Sequence, residues 1–241
     1  MRIDRWLFAA LAAAQVAYGR IPGRRGPGAT RALVGLMLAA STAEAVAARG
    51  AARGGGGVAA AGTLGFAAEL AGVATGRPFG HYAYSAKLGP RVGGVPLLAA
   101  AAWAMMARPA WVVAGLLSHR RAARVGLAAG ALTAWDVFLD PRMAREGYWT
   151  WARGGRYEGI PASNFLGWFV TGAGVFAVWS LIDGEDDPAR DGDGALGLYA
   201  WTWVGETFAN AALWRRPQVA AAGAAAMGAF AAPALWRRWR G

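Results

Sequence analysis

Five carboxylates fall within or at the ends of long apolar runs of this chain: Glu44, Glu69, Asp136, Asp140 and Glu206. A charged side chain in hydrocarbon costs about 2.5–3.5 kcal/mol on insertion scales, so acids kept there are functional suspects by default. None has a Lys or Arg three or four residues away, although Glu44 lies five residues from Arg49. Each must therefore face a protein interior, find a partner distant in sequence, or carry a proton. Asp136 and Asp140 are four residues apart and share one helix face. A carboxyl in an apolar pocket can stay protonated and donate its proton, while a second carboxylate nearby can hold water as a base. Protonating an alkene gives a carbocation, which aromatic faces stabilise through their quadrupoles. Thirteen Trp and six Tyr supply such faces, with Trp103, Trp135, Trp168, Trp201 and Trp203 inside the apolar runs.

Other readings compete with acid catalysis. Polar side chains can simply glue helices together, and Trp residues can pack or anchor to lipid. The D-x-x-x-D spacing of Asp136 and Asp140 also suits Mg²⁺–diphosphate binding. The acidic turn Asp183 to Gly194 reads as solvated, since it lacks EF-hand spacing. His119, among Arg120 and Arg121, reads as part of a basic loop.

The elements that carry these residues follow from composition. Hydrophobic residues make up 56% of the 241 and charged residues 16%, against about 25% charged in a soluble domain. That is too little charge to coat a water-soluble globule, and it also excludes disorder. The chain has no cysteine and two histidines, His81 and His119. Disulfides, thiolate catalysis and Cys-ligated metals are excluded, and no metal site is expected. The net charge of +11 sits mostly in short stretches between apolar runs, where cations meet anionic headgroups, so nucleic acid is rejected as a partner.

A spanning helix needs about 20 mostly apolar residues. Eight candidates run near Trp6 to Tyr18, Arg31 to Ala48, Val58 to Ala74, Val92 to Leu117, Ala122 to Leu139, Asn164 to Ile182, Ala195 to Leu213 and Val219 to Leu235. The fourth contains Arg108-Pro109, where it should kink or end early, with Trp111 opening an interfacial piece. The expected fold is all-α: one integral-membrane domain, residues 1–241, with 7–8 spans in a multi-pass bundle of the cell membrane. Two longer connections, Thr75 to Pro96 and Asp140 to Asn164, are dense in aromatics, Gly and Pro, and suit folded loops at the interface. Two spans separate them, so both must lie on one face. Lys and Arg are near balance between the faces, so orientation stays open. At about 1.5 Å per residue, Asp140 lies at the loop-side mouth, Asp136 about 6 Å deeper, Glu69 roughly 9 Å and Glu206 roughly 12 Å in. Asn210 and Asn164 join them in that hemisphere, while Glu44 lies toward the other.

The stretches TGRPFGHYAYSAKLGP, GVPLLAAAAWAMM, TAWDVFLDPRMAREGYWTW and GRYEGIPASNFLGW resemble the carotenoid biosynthesis protein family of CruF-type carotenoid 1′,2′-hydratases, the γ-carotene and bisanhydrobacterioruberin hydratases. The resemblance covers about Thr75 to Trp168, with Ser85 where Thr is expected. It implies addition of water to the terminal 1′,2′ double bond of an acyclic (ψ) carotenoid end group, without a cofactor. The implied partners are the carotenoid in the bilayer, membrane lipids and other carotenoid biosynthetic enzymes.

The roles of individual residues are read from depth. Asp136, or else Glu206 or Glu69, is the expected proton donor. Asp140, at the wetter mouth, is expected to orient water and take its proton. Trp135, Trp168, Tyr82 and Tyr84, with Trp103 and Trp203, are expected to line the substrate's path; Asn164 and His81 would hydrogen-bond the water. The rivals are a Mg²⁺-dependent prenyltransferase or lycopene elongase, which needs a second acidic motif that is missing, and a proton or small-solute transporter, which needs a relay through both halves of the membrane, where Glu44 alone serves the far half.

Overall fold

The computed structural model describes residues 3–21, 26–184, 189–190 and 192–240. Among these are eight α-helices: α1 (Ile3–Arg20), α2 (Pro27–Gly50), α3 (Gly56–Thr75), α4 (Leu98–Leu117), α5 (Arg121–Arg145), α6 (Ala162–Asp183), α7 (Asp193–Phe208) and α8 (Pro217–Arg240). Five helical stretches are long and apolar enough to cross a membrane: 27–75, 98–117, 121–145, 162–183 and 217–240. The first is two helices. Gly50 adopts φ 77°, a left-handed value that ends α2. A π-helical turn, Ala51–Gly55, then reverses the chain, and Gly54 packs on the backbone of Ala45 so closely that no side chain would fit.

Successive helices pack on one another, α1 on α2, α3 on α4, α4 on α5, α5 on α6 and α7 on α8. α4 lies at the centre, packed by α2, α3, α5, α7 and α8. It runs unbroken through Pro109 to Leu117, so the early end expected at Arg108-Pro109 does not occur. Trp111 is fully buried, not interfacial, because its indole donates to Asp183 Oδ2 at 2.7 Å. Asp183 is buried too, which corrects its reading as part of a solvated turn. The rest of that acidic stretch is divided: Asp193 pairs with Arg238 at 2.6 Å, while residues 185–188 and 191 lie outside the described residues.

The two aromatic loops do share one face. Strand β1 (Tyr82–Tyr84) pairs antiparallel with β4 (Trp149–Trp151), in the register Tyr82↔Trp151 and Tyr84↔Trp149. A hairpin of β2 (Arg91–Val92) and β3 (Val95–Pro96) sits beside them. Its turn, Gly93-Gly94, has φ of 57° and 84°, the positive pair a type I′ turn needs. A hydrogen-bond chain, Tyr18 Oη to Thr30 Oγ1 at 3.2 Å and Thr30 Oγ1 to Tyr148 Oη at 2.9 Å, ties α1 and α2 to this loop layer.

Candidate active site beneath the loop layer

Beneath the β1–β4 ribbon lies a cavity of about 350 Å³. Its walls are mostly aromatic, and two groups of polar side chains interrupt them. The first group is acidic. Glu69, from α3, is 5% exposed and accepts three hydrogen bonds: from Tyr82 Oη, from Tyr84 Oη at 2.8 Å, and from Trp103 Nε1 at 3.0 Å. Strand alternation sends Tyr82 and Tyr84 to the same side of β1, so both phenols reach down to one carboxylate. Burial first, and the Glu69 charge second, push both phenols well above the usual tyrosine range, so they remain donors. Gly65, one turn before Glu69 on α3, gives Trp103 room: a Cβ there would collide with the indole.

Across the cavity, Asn164 near the start of α6 donates through Nδ2 to Asp136 Oδ2 at 2.8 Å and also to Asp140 Oδ2. The two carboxyls, one turn apart on α5, are thus joined through a single amide group. All three side chains are at least 97% buried, at 0% (Asp136), 2% (Asp140) and 3% (Asn164) exposure. Among the described residues, none of Glu69, Asp136 and Asp140 has a cationic partner within ion-pair distance.

The aromatic wall is ordered by ring contacts. Trp103 stacks on Trp168 at 4.1 Å, and Trp135 meets Trp168 edge-on at 6.0 Å. Tyr82 and Tyr84 contact each other at 5.5 Å, and Tyr84 meets Trp149 at 5.6 Å. The cavity opens toward the outer surface between α1 and α7, where Val16, Val204 and Phe208 line it while exposed by 43%, 57% and 53%.

Depth along a helix misjudged which acid faces the cavity. Asp140 and Glu69 line it; Asp136 does not, because α5 turns it back against Asn164. Glu206 lines a different wall and lies 3.7 Å from Arg142. Tyr82, Tyr84, Trp103, Trp135, Trp168 and Asn164 all line the cavity. His81 and Trp203 do not. His81 is exposed and rests over Gly76, and Trp203 donates to Ala224 O at 2.9 Å, tying α7 to α8. Glu44 lies in the opposite half, paired with Arg108 at 2.9 Å. Sequence reading had left Trp149, Trp151, Trp201, Trp214 and Arg142 unassigned to the cavity. The WTW triplet Trp149–Trp151 carried a signal, since alternate aromatics suit a strand with one covered face.

Among the described residues, no group of three or more His, Cys, Asp or Glu is placed to hold a metal ion. The arrangement can instead move protons: a cavity-facing acid backed by a second carboxyl, opposite a carboxylate held by neutral donors, with ring faces between.

A bundle of long apolar helices enclosing an acid-lined, ring-walled cavity is the architecture of a membrane protein. The chain belongs to the carotenoid biosynthesis protein family, whose model matches residues 28–230. Over 110 residues it is 31% identical to the bisanhydrobacterioruberin hydratase of Haloarcula japonica, a stretch covering 44% of this chain and 37% of that protein. No solved structure matches the chain.

Proposed function

We propose that this protein is a multi-pass enzyme of the cell membrane that hydrates the terminal 1′,2′ double bond of an acyclic carotenoid end group. The observation that carries the reading is the pairing, in one apolar cavity, of a cavity-facing carboxyl backed by another (Asp140 and Asp136) with a separate carboxylate, Glu69, neutralised by no cation. Two carboxyls in contact share a proton, because like charges at that distance cannot both ionise. Asp136 Oδ1, buried without a donor, suits a protonated pair.

The reaction then runs in two steps. Asp140 delivers its proton to C2′ of the alkene, and the electron pair of the double bond becomes the new C–H bond. The tertiary cation left at C1′ lies against the Trp103, Trp168 and Trp135 rings, with the Glu69 charge opposite. Water attacks C1′, forming the C–O bond, and gives its proton to Glu69. That proton returns to the aspartate pair to close the cycle, so no net proton is consumed. Tyr82 and Tyr84 donate to Glu69 and so favour its charged form against the effect of burial. The opening between α1 and α7 admits a polyene from the lipid.

The test is expression in a lycopene-producing bacterium, with membranes incubated in ¹⁸O-labelled water. The expected pigment gains one water carrying the label, and the gain survives EDTA. Unchanged pigment overturns the reading. A product enlarged by an isoprenoid unit, formed only with Mg²⁺, would identify a prenyl-transferring enzyme instead.

A further inference from the structure

The cavity has a second polar group that the hydration step does not use. Arg142, from the last turn of α5 and two residues beyond Asp140, also lines the cavity, with its side chain 14% exposed. Its guanidinium has five N–H donors. Among the described residues its one hydrogen bond is weak, from Nη2 to Met143 Sδ at 3.8 Å, and its buried Nε has no partner. It is held in place instead by two rings, Tyr18 at 5.5 Å and Trp214 at 5.6 Å. Glu206 Oε1 lies 3.7 Å from Nη1, too far for a direct hydrogen bond. A buried cation whose donors find no oxygen is costly unless something else supplies one.

What it would take follows from the charges around it. Arg142 feels Glu206 and Glu146, and Glu206 in turn feels Arg216. The Glu206 carboxylate already lies beside the Arg142 guanidinium, although Arg20 adds a further cation to the cavity lining. A phosphate or carboxylate would have to displace Glu206 or lie against it. A hydroxyl meets no such obstacle: it can accept from Arg142 and donate to Glu206, satisfying both. Leu213, Ala209 and Val34 also line the cavity, together with the polar Arg20, Gln15 and Thr30.

We propose that Arg142 and Glu206 form a binding site for the hydroxyl group of an isoprenoid alcohol, distinct from the acid group, so that the cavity recognises a hydroxylated end in preference to a hydrocarbon one. The isoprenoid character of the ligand rests on the proposed function; the hydroxyl recognition does not. The site makes Arg142 and Glu206 specificity-determining residues, not proton carriers.

The experiment measures equilibrium binding of four probes to the full chain in lipid nanodiscs: farnesol, its methyl ether, the hydrocarbon farnesene, and farnesyl diphosphate. Farnesol should bind about tenfold more tightly than farnesene, as expected for a charge-assisted hydrogen bond, and more tightly than the ether, which cannot donate to Glu206. In Arg142→Met the preference for farnesol should vanish while farnesene binding persists, which also shows that the variant is folded. In Glu206→Gln, the isosteric change, the diphosphate should gain affinity. Equal binding of farnesol and farnesene by the wild type overturns the proposal, as does tightest binding of the diphosphate. The hydration assay is read separately: a protein that hydrates polyenes but ignores the hydroxyl loses only this site, and one that prefers the alcohol but adds no water loses only the reaction.

Discussion

In the half of the bundle remote from the loops, Glu44 faces Arg108 at 2.9 Å and 3.4 Å, and Asp183 takes the Trp111 indole at 2.7 Å with Arg49 3.6 Å away. In the half beneath the loops, Glu69, Asp136 and Asp140 are equally buried but are met by phenols, indoles and an amide. The partner decides what a buried acid can do. A carboxylate clamped by a guanidinium cannot accept a proton without stranding a buried cation, so it holds helices together. A carboxyl bonded to neutral donors can gain or lose a proton while leaving only ordinary hydrogen bonds to rearrange. On the proposed function, one fold uses the same residue type as a fastener at one end and as a proton carrier at the other.

The contrast can be broken most forcefully at the fastener. Arg108→Met leaves the Glu44 charge buried and alone, which should cost about 3–5 kcal/mol. It should appear as a marked fall in thermal stability in detergent, with turnover per folded molecule unchanged. The double variant Glu44→Leu/Arg108→Met should recover part of that loss, since neither member of this pair is then buried without the other. Recovery absent, or turnover lost with the single change, would make the remote half part of the chemistry. Next in size is the carrier. Asp140→Asn keeps shape and hydrogen bonding but cannot deliver the proton, and should lower hydration by at least about 10²-fold, with thermal stability little altered. Glu69→Gln should fall similarly. Wild-type turnover in both would remove the carboxyls from the mechanism.

These two halves were unequally legible in sequence. The helices were, because apolar runs separated by Arg- and Gly-rich breaks leave few alternatives, and parity alone placed both aromatic loops on one face. Acid positions within runs pointed to the correct hemisphere for the same reason. Their partners were not legible. Arg108 is 64 residues from Glu44 and Asn164 is 28 from Asp136, separations that only the packing of α4 and α6 closes. Depth along a helix says nothing of azimuth, which is why the deeper Asp136 was expected to deliver the proton although Asp140 is the one that lines the cavity. Trp203 failed the same way: it is deep enough, but rotated onto α8. The early end offered at Arg108-Pro109, as the alternative to a kink, failed for another reason. A proline ends an isolated helix, but dense packing around α4 holds this one together.

Smaller changes test the neutral-donor side directly. Gly65→Ala places a methyl against the Trp103 ring, which must shift and draw Nε1 away from Glu69. The cavity's acids stay intact, so turnover should drop by about tenfold through misplacement alone, and Trp103→Phe should mimic it without the steric push. The gentlest probe is Tyr84→Phe, which removes one of three donors to Glu69, worth about 1 kcal/mol, or roughly fivefold in turnover. The pH profile separates this loss from a titration effect. Burial and Glu69 both raise the Tyr84 phenol above its ordinary range. The folded state therefore keeps the proton longer than the unfolded chain does, and the donor is fully present at every pH below the ordinary phenol range. The ratio of wild-type to Tyr84→Phe turnover should then stay constant from neutral to mildly alkaline pH. A ratio that collapses toward one as pH rises would mean that the phenol ionises within the working range, and that Glu69 is held by charge rearrangement instead of by fixed neutral donors.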